Sequence, residues 1–170
     1  MSKYTPRTTA PELSNLYYYS DMNIFHFAGY GLPNCTCYAW GRFYEITGEE
    51  PKLSRNDAER WWGYTADGYS RGNTPRVGAV ICWAKGSPTT DTDGSGHVAI
   101  VEEVRKDGSI LTSNSAHNGD TFYTDELYPP YSLSDYTLQG FIYNPIDFTE
   151  KRKIPAWLLF KFNERRLKPC

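Results

Sequence analysis

The hydrophobic pattern of this chain changes from helical to strand-like spacing after Gly72, and that change limits the folds open to it. Before it, aromatic residues recur at helical spacing over Cys35–Thr47, between Asn34, which suits a helix N-cap, and Gly48, which suits a helix end. After Gly72, short apolar segments alternate with turn residues. Helices followed by strands predict an α+β fold, with N-terminal helices packed on an antiparallel β-sheet.

The predicted elements are short, and one tight turn joins two of the strands. An Asp107-Gly108 pair stands between two strand patterns, which is a strong signal for a β-hairpin. Further helices are predicted around residues 12–19 and at residues 56–62, the latter capped by Asn56 or Ser54. Strands are predicted at residues 77–83, 98–104, 110–115 and 137–143.

Size, charge and apolar segment length exclude several classes of protein. The chain has 170 residues, which suits one domain with its own core. Its net charge of −2 gives no reason to expect a nucleic-acid partner. The apolar segments are strand-sized, so no membrane span is predicted. The first residues lack a signal-peptide layout, so synthesis in a cytoplasm is expected.

The four cysteines do not form the pattern of a disulfide framework or a zinc site. Cys35 and Cys37 have C-x-C spacing with no second ligand pair, and Cys82 lies in an apolar strand pattern. We therefore interpret these three and Cys170 as free thiols and predict no metal site.

Cys35 is a candidate nucleophile because it starts the predicted helix. Unpaired N–H groups and the helix dipole stabilise a thiolate there, which predicts a lowered pKa for Cys35. Its own N–H is expected to serve as an oxyanion donor. Cys37 lies about 200° further round the helix, so both thiols cannot face one base. A small buried hydrophobe is the alternative role for such a cysteine.

His97 is the candidate base, because it stands at the start of an apolar strand after the small residues Ser95 and Gly96. The sheet would hold its backbone while one side of the ring stays open. An ordinary histidine at a strand edge is the alternative. His26 and His117 are the only competitors, and neither has such a setting.

A third group is needed to hold the tautomer of His97. In the hairpin, even-numbered residues of the second strand share a face with His97, so Asn114 and Asn118 both qualify. A two-residue turn would place Asn118 opposite His97, whereas a bulge or a longer turn would favour Asn114.

Four segments together resemble the CHAP family of cysteine, histidine-dependent amidohydrolases and peptidases. They are residues 34–42 (NCTCYAWGR), 75–83 (PRVGAVICW), 96–102 (GHVAIVE) and 107–110 (DGSI). The resemblance covers about residues 30–145 and implies a papain-like fold, with Cys35 as nucleophile and His97 as base. The third residue of the family is usually a Glu, and this chain has Asn114 at that position.

The resemblance also implies a substrate and a setting. We expect residues 1–145 to form the catalytic domain and residues 146–170 a C-terminal extension or linker stub. The expected activity is hydrolysis of a peptidoglycan amide bond, as an N-acetylmuramoyl-L-alanine amidase or an endopeptidase. A phage endolysin is expected, which stays in the host cytoplasm until a holin releases it to the wall. A separate wall-binding domain or subunit is a further expectation.

Two other sequence features have weaker functional interpretations. Asp91, Asp93, Ser95, Gly96 and Glu102 fit the spacing of an EF-hand calcium loop, but a strand and not a helix follows. No cofactor is therefore predicted, with calcium as the open alternative. Trp83, and one of Trp61 and Trp62, are predicted to form a groove wall that stacks on substrate, with core packing as the alternative.

Two rival functions remain open at this point. One is a wall-binding module without catalysis, and the other is a cysteine peptidase or transamidase that acts on proteins.

Overall fold

A computed structural model describes residues 4–85, 95–146 and 148. The elements, in chain order, are helices α1 (Leu16–Tyr19), α2 (Ile24–Phe27) and α3 (Cys35–Thr47), 3-10 turns η1 (Ala58–Arg60) and η2 (Thr65–Asp67), and strands β1 (Arg71–Gly72), β2 (Val80–Lys85), β3 (His97–Val104), β4 (Ile110–Asn114), β5 (Tyr123–Leu127) and β6 (Tyr136–Ile142).

The strands form one six-stranded sheet in the order β1-β6-β2-β3-β4-β5, and every neighbouring pair is antiparallel. The predicted α+β class is confirmed, as are the four predicted strands to within a few residues at their ends. Strands β1 and β5 were not predicted, because β1 has only two residues and β5 (YTDEL) is a polar strand at the edge of the sheet.

Helix α3 forms where it was predicted, with the predicted residues at its two ends. The Asn34 side-chain oxygen accepts hydrogen bonds from the N–H groups of Thr36 and Cys37, and Gly48 ends the helix in the left-handed conformation at φ 72°. Gly41 lets α1 approach closely, because a Cβ there would lie 2.6 Å from the Tyr17 carbonyl oxygen.

The predicted helix at residues 56–62 is wrong, because only a 3-10 turn forms at Ala58–Arg60. Asp57, and not Asn56 or Ser54, takes the N-cap position and makes no side-chain capping bond. The Trp61 indole N–H instead donates to the Asn56 carbonyl oxygen at 3.0 Å, and the Trp61 side chain is fully buried. Fixing this indole in the core sets the path of so short a segment more strongly than helix propensity does.

A buried ion pair joins α3 to β3. Glu102 is fully buried, and its two carboxylate oxygens each accept a hydrogen bond of 2.9 Å from the guanidinium of Arg42. Further donors to the carboxylate are the Ser113 hydroxyl at 2.7 Å and the Arg7 backbone N–H at 2.8 Å. Burial acts to lower the pKa of Arg42, but the hydrogen bonds and charge of Glu102 outweigh it, so that pKa is raised.

Within the described ranges, the helices are all too short or too polar to cross a membrane. The predicted C-terminal extension lies almost entirely outside the described residues, which end at 146 and 148.

Candidate active site

Cys35 is the first residue of α3, and it is half-buried against the start of β3. The backbone of Val98, the residue after His97, and the backbone of Thr36 both act to lower the pKa of the Cys35 thiol. Backbone groups that lower a thiol pKa favour the thiolate, as N–H donors do. The Asn34 cap is used by the N–H groups of Thr36 and Cys37, which leaves the Cys35 N–H outside the cap.

The pKa of Cys35 is raised, which is opposite to the direction predicted from the helix start. Burial is the largest cause and outweighs the N–H donors, and the nearby negative charge of Asp57 adds to the increase. The prediction was wrong because it considered the helix terminus but not the apolar residues that cover the sulfur. A base is therefore needed to take the thiol proton.

His97 is the first residue of β3, and its ring lies between two aromatic side chains. Trp83 of β2 stacks on it with ring centroids 5.7 Å apart, and Tyr136 of β6 lies 6.3 Å away. Burial lowers the pKa of His97 and outweighs the opposite effects of Asn114 and Asp125. The neutral imidazole, which is the form that accepts a proton, is therefore favoured.

A chain of hydrogen bonds decides which nitrogen of His97 carries the proton. The Thr112 hydroxyl donates to the Asp125 carbonyl oxygen at 3.3 Å, so its lone pair accepts from the Asn114 amide nitrogen at 3.0 Å. This orientation turns Asn114 Oδ1 toward His97 Nε2, 3.1 Å away. Because Oδ1 can only accept, Nε2 carries the proton and Nδ1 has the free lone pair.

Asn114, and not Asn118, is therefore the residue that contacts His97. The hairpin loop is longer than two residues, since Val104 pairs with Ile110, and the register shifts between Val101 and Glu103. The longer loop and the register shift both move the position opposite His97 toward Asn114, which is the outcome predicted for a bulge or a longer turn. Asn118 is exposed in a turn with φ 55°.

Strand β4 also links His97 to the start of helix α3. Ser115, directly after Asn114, accepts a hydrogen bond of 3.0 Å at its hydroxyl from the backbone N–H of Asn34. The end of β4 therefore contacts both elements: Ser115 binds Asn34, the residue that caps α3, and its neighbour Asn114 contacts His97. This bond was not predicted, because it joins residues that are distant in sequence.

The other described cysteines are interior residues. Cys37 is fully buried with its sulfur 3.9 Å from the Tyr18 carbonyl oxygen, and Cys82 is fully buried in β2. Burial raises the pKa of Cys37 to about 12. The predicted free thiols are confirmed for Cys35, Cys37 and Cys82, while Cys170 lies outside the described residues.

The predicted groove wall of tryptophans must be corrected. Trp61 and Trp83 are fully buried, so neither has a ring face open to a substrate. Trp61 packs in the core beneath α3, and Trp83 lies under the His97 ring. Trp62 is half-buried against Gly140, where a Cβ would approach it to 2.6 Å. The sequence could not separate these roles, since core and surface tryptophans have the same local pattern.

The calcium template is only partly testable in the structure. Asp91 and Asp93 lie outside the described residues. Glu102, which fills the last ligand position of the template, already binds Arg42 with both carboxylate oxygens. Within the described ranges, no group of three or more His, Cys, Asp or Glu side chains is placed to hold a metal ion.

Two residues beside the site, Thr112 and Tyr136, were not predicted from the sequence. Thr112 shares the face of β4 with Asn114, so the alternation of strand residues would have found it. Tyr136 approaches His97 only through the pairing of β6 with β2, for which the sequence contains no local signal.

Comparisons with known proteins identify relatives of this chain. The N-acetylmuramoyl-L-alanine amidase sle1 of Staphylococcus aureus strains USA300 and NCTC 8325 / PS 47 is 29% identical over 120 residues, which are 64% of this chain and 34% of the relative. This chain thus spans about a third of the length of the curated relatives it matches. A crystal structure of N-acetylmuramoyl-L-alanine amidase from S. aureus is 28% identical, with a TM-score of 0.48, over 58% of this chain and 28% of that one.

The family match is the decisive comparison. Residues 25–116, more than half of the chain, match the CHAP domain and include the described positions of Cys35, His97 and Asn114. The chain belongs to the CHAP domain family and has its papain-like α+β fold.

Proposed function

We propose that this chain hydrolyses an amide bond of bacterial peptidoglycan by cysteine nucleophilic catalysis. The observation that carries the proposal is the meeting of two elements. The backbone of Val98, directly after His97, acts on the pKa of the Cys35 thiol, so this thiol lies beside the strand that carries His97, while Asn114 holds the His97 ring in the tautomer whose Nδ1 can accept a proton. The relatives, whose names say that they are N-acetylmuramoyl-L-alanine amidases, support peptidoglycan as the substrate.

The reaction has two halves. In the first, His97 Nδ1 takes the thiol proton as the Cys35 sulfur bonds to the amide carbonyl carbon, and the Cys35 N–H holds the resulting oxyanion. His97 then gives that proton to the leaving amine, and the C–N bond breaks to leave a thioester. In the second half, His97 takes a proton from water, the hydroxide displaces the sulfur, and the thiol is restored.

A matched pair of cysteine variants tests this proposal. Cys35→Ala is expected to lower the rate of wall hydrolysis by roughly four orders of magnitude or more, because the thioester cannot form. Cys37→Ala removes an interior thiol and is expected to keep most of the activity. The measurements are loss of turbidity of purified walls and release of new amino groups. Retained lysis in Cys35→Ala with loss in Cys37→Ala would overturn the assignment.

Two further assays separate the rival functions. A wall-binding module would bind walls without releasing amino groups, and thiol alkylation would not change that binding. A peptidase that acts on proteins would release amino groups from casein, whereas we expect release from walls alone. Mass spectrometry of the digested walls then distinguishes a muramoyl–alanine bond from a cross-bridge bond.

The predicted endolysin role remains a proposal with its own test. The chain is expressed in a bacterial host with and without a co-expressed holin. We expect lysis only when both are present, with Cys35→Ala as the inactive control. Lysis by the chain alone would contradict release through a holin.

A further inference from the structure

A groove lies beside the start of α3, on the side of α2. Its first part is a cavity of about 690 Å³ that reaches Asn34 and Thr36, the residues on either side of Cys35. A second cavity of about 540 Å³ shares Ile24 and Arg55 with the first. The two parts therefore adjoin at these residues, and together they offer more space than a single small group needs.

Two acidic and two basic side chains line this groove. Asp57 lines only the first part, and its negative charge acts on the Cys35 thiol, so it lies at the end near Cys35. Arg55 lines both parts, so it stands where they meet, and Glu50 and Lys52 line only the second part. Arg55 forms no ion pair with any residue in the described ranges, and Asp57 makes no capping bond with the turn it precedes.

Two aromatic side chains that line the groove are exposed to solvent. Phe27 is 72% exposed and Tyr30 is 62% exposed, and both line the first part of the groove. Aromatic rings left open to solvent in a concave surface are typical of sites that hold a ligand by its apolar faces. The groove thus combines aromatic faces with the Arg55 guanidinium, which has no ion-pair partner among the residues that the structure describes.

We propose that this groove binds the peptide part of the substrate, and that Arg55 selects peptides with a free carboxylate by pairing with it. The inference rests on the proposed function, since it takes Cys35 as the point of attack. The order of charges sets the orientation of the peptide. A carboxylate is repelled by Asp57 in the first part and attracted by Arg55 at the junction, where a guanidinium can bind both carboxylate oxygens. In the second part, the opposite charges of Glu50 and Lys52 offset one another.

The experiment compares two ligands that differ in one group. The probes are L-alanyl-γ-D-glutamyl-L-lysine with the glutamyl carboxylate free, and the same peptide with that carboxylate converted to a carboxamide. Binding is measured by calorimetry to the full chain carrying Cys35→Ala, so no catalysis is required. We expect the acid to bind about tenfold or more tightly than the amide, as charge-assisted pairing implies.

Two arginine variants on this background decide the role of Arg55. Arg55→Gln is expected to abolish the preference for the acid while it leaves amide binding within about twofold. Arg60→Gln is the matched control, because Arg60 is exposed on η1 and lines neither part of the groove. The preference should persist in it. Equal binding of the two probes to the parent, or a preference that survives Arg55→Gln, would overturn the proposal.

Wall hydrolysis by the wild-type chain is measured separately. If the wild type releases no amino groups but the Cys35→Ala chain still prefers the acid through Arg55, the proposed reaction fails and the groove assignment stands. If hydrolysis occurs and the preference is absent, the reverse holds. With both in place, Arg55→Gln should raise the KM for the acid peptide and leave kcat unchanged.

Discussion

Asn114 Oδ1 lies 3.1 Å from His97 Nε2, and the orientation of this amide is set by Thr112, two residues earlier in β4. The amide nitrogen of Asn114 donates to a hydroxyl whose own proton is used on the Asp125 carbonyl oxygen. A backbone acceptor on β5 thereby fixes a tautomer on β3 through two side chains of β4. Such aligned bonds strengthen one another in a low dielectric.

Thr112→Val is expected to lower kcat by about tenfold with little change in KM, because the Asn114 amide loses its acceptor and can turn its nitrogen toward His97. Val has nearly the same shape as Thr, so packing is retained. Thr112→Ser keeps the hydroxyl and should restore the rate. The ¹⁵N shifts of the His97 ring report the tautomer directly. An unchanged Nε2-protonated tautomer in Thr112→Val, together with an unchanged kcat, would show that Thr112 has no positioning role.

The pH dependence of activity follows from two pKa shifts of opposite direction. Burial lowers the pKa of His97 below its ordinary 6.5 and raises that of Cys35 above its ordinary 9.0. At neutral pH both groups are uncharged. Since protonated His97 cannot accept a proton, kcat/KM should fall only as pH drops through a value below 6.5.

Alkylation of Cys35 by iodoacetamide checks the same pair independently. The rate should be low at neutral pH and rise toward alkaline pH, as expected for a thiol with a raised pKa. Cys35→Ala supplies the background rate. Rapid alkylation that persists down to pH values near 5 would indicate a preformed thiolate–imidazolium pair and contradict the prediction.

The sequence predicted local features of the site well and the features set by distant contacts poorly. The Asn34 cap, the start of α3 and the position of His97 on a strand depend on neighbouring residues, and all three form as predicted. The choice between Asn114 and Asn118 depends on the register shift beside Glu102, and Glu102 is buried against Arg42 of α3. No pattern among neighbouring residues predicts the contact between Glu102 and Arg42.

The direction of the Cys35 pKa and the roles of the tryptophans failed for the same reason. A helix start can be recognised from five or six residues, but burial of a sulfur depends on what packs over it. Trp61 and Trp83 are covered by elements that lie far from them in the chain, so a prediction of exposed rings had no local signal against it.

Gly96→Ala is expected to reduce both kcat and stability, because the residue before His97 has no space for a side chain. Gly96 has φ +45°, and a Cβ there would lie 2.5 Å from the Trp83 carbonyl oxygen and 2.6 Å from the Glu59 nitrogen. Both are backbone atoms, so β3 must shift and carry His97 with it. We expect a loss of about 1–3 kcal/mol in the free energy of unfolding.

Gly63→Ala is the matched control for that change. A Cβ at Gly63 has no heavy atom within 4 Å, and its φ is not in the left-handed region. Its unfolding free energy and kcat should both stay near the wild-type values. Equal kcat in the Gly96→Ala and Gly63→Ala proteins would show that His97 does not depend on the close contact at Gly96.

Glu102→Gln is expected to lower the free energy of unfolding by about 3 kcal/mol, because it removes the fully buried one of the two carboxylates that pair with Arg42 and leaves only Glu45, which Arg42 shares with Arg7. The side chains of Arg42 and Glu102 are only 7% and 0% exposed, so water cannot replace the carboxylate.

Glu126→Gln is the surface control: it removes an exposed ion pair with Arg105, and no measurable change in the free energy of unfolding is expected. The double change Arg42→Met with Glu102→Leu should recover much of the loss, since it removes both charges together. Urea unfolding measures all three proteins. A double variant as unstable as Glu102→Gln would mean that the bonds to Ser113 and Arg7, and not the charge that pairs with Arg42, are what the carboxylate contributes to the fold.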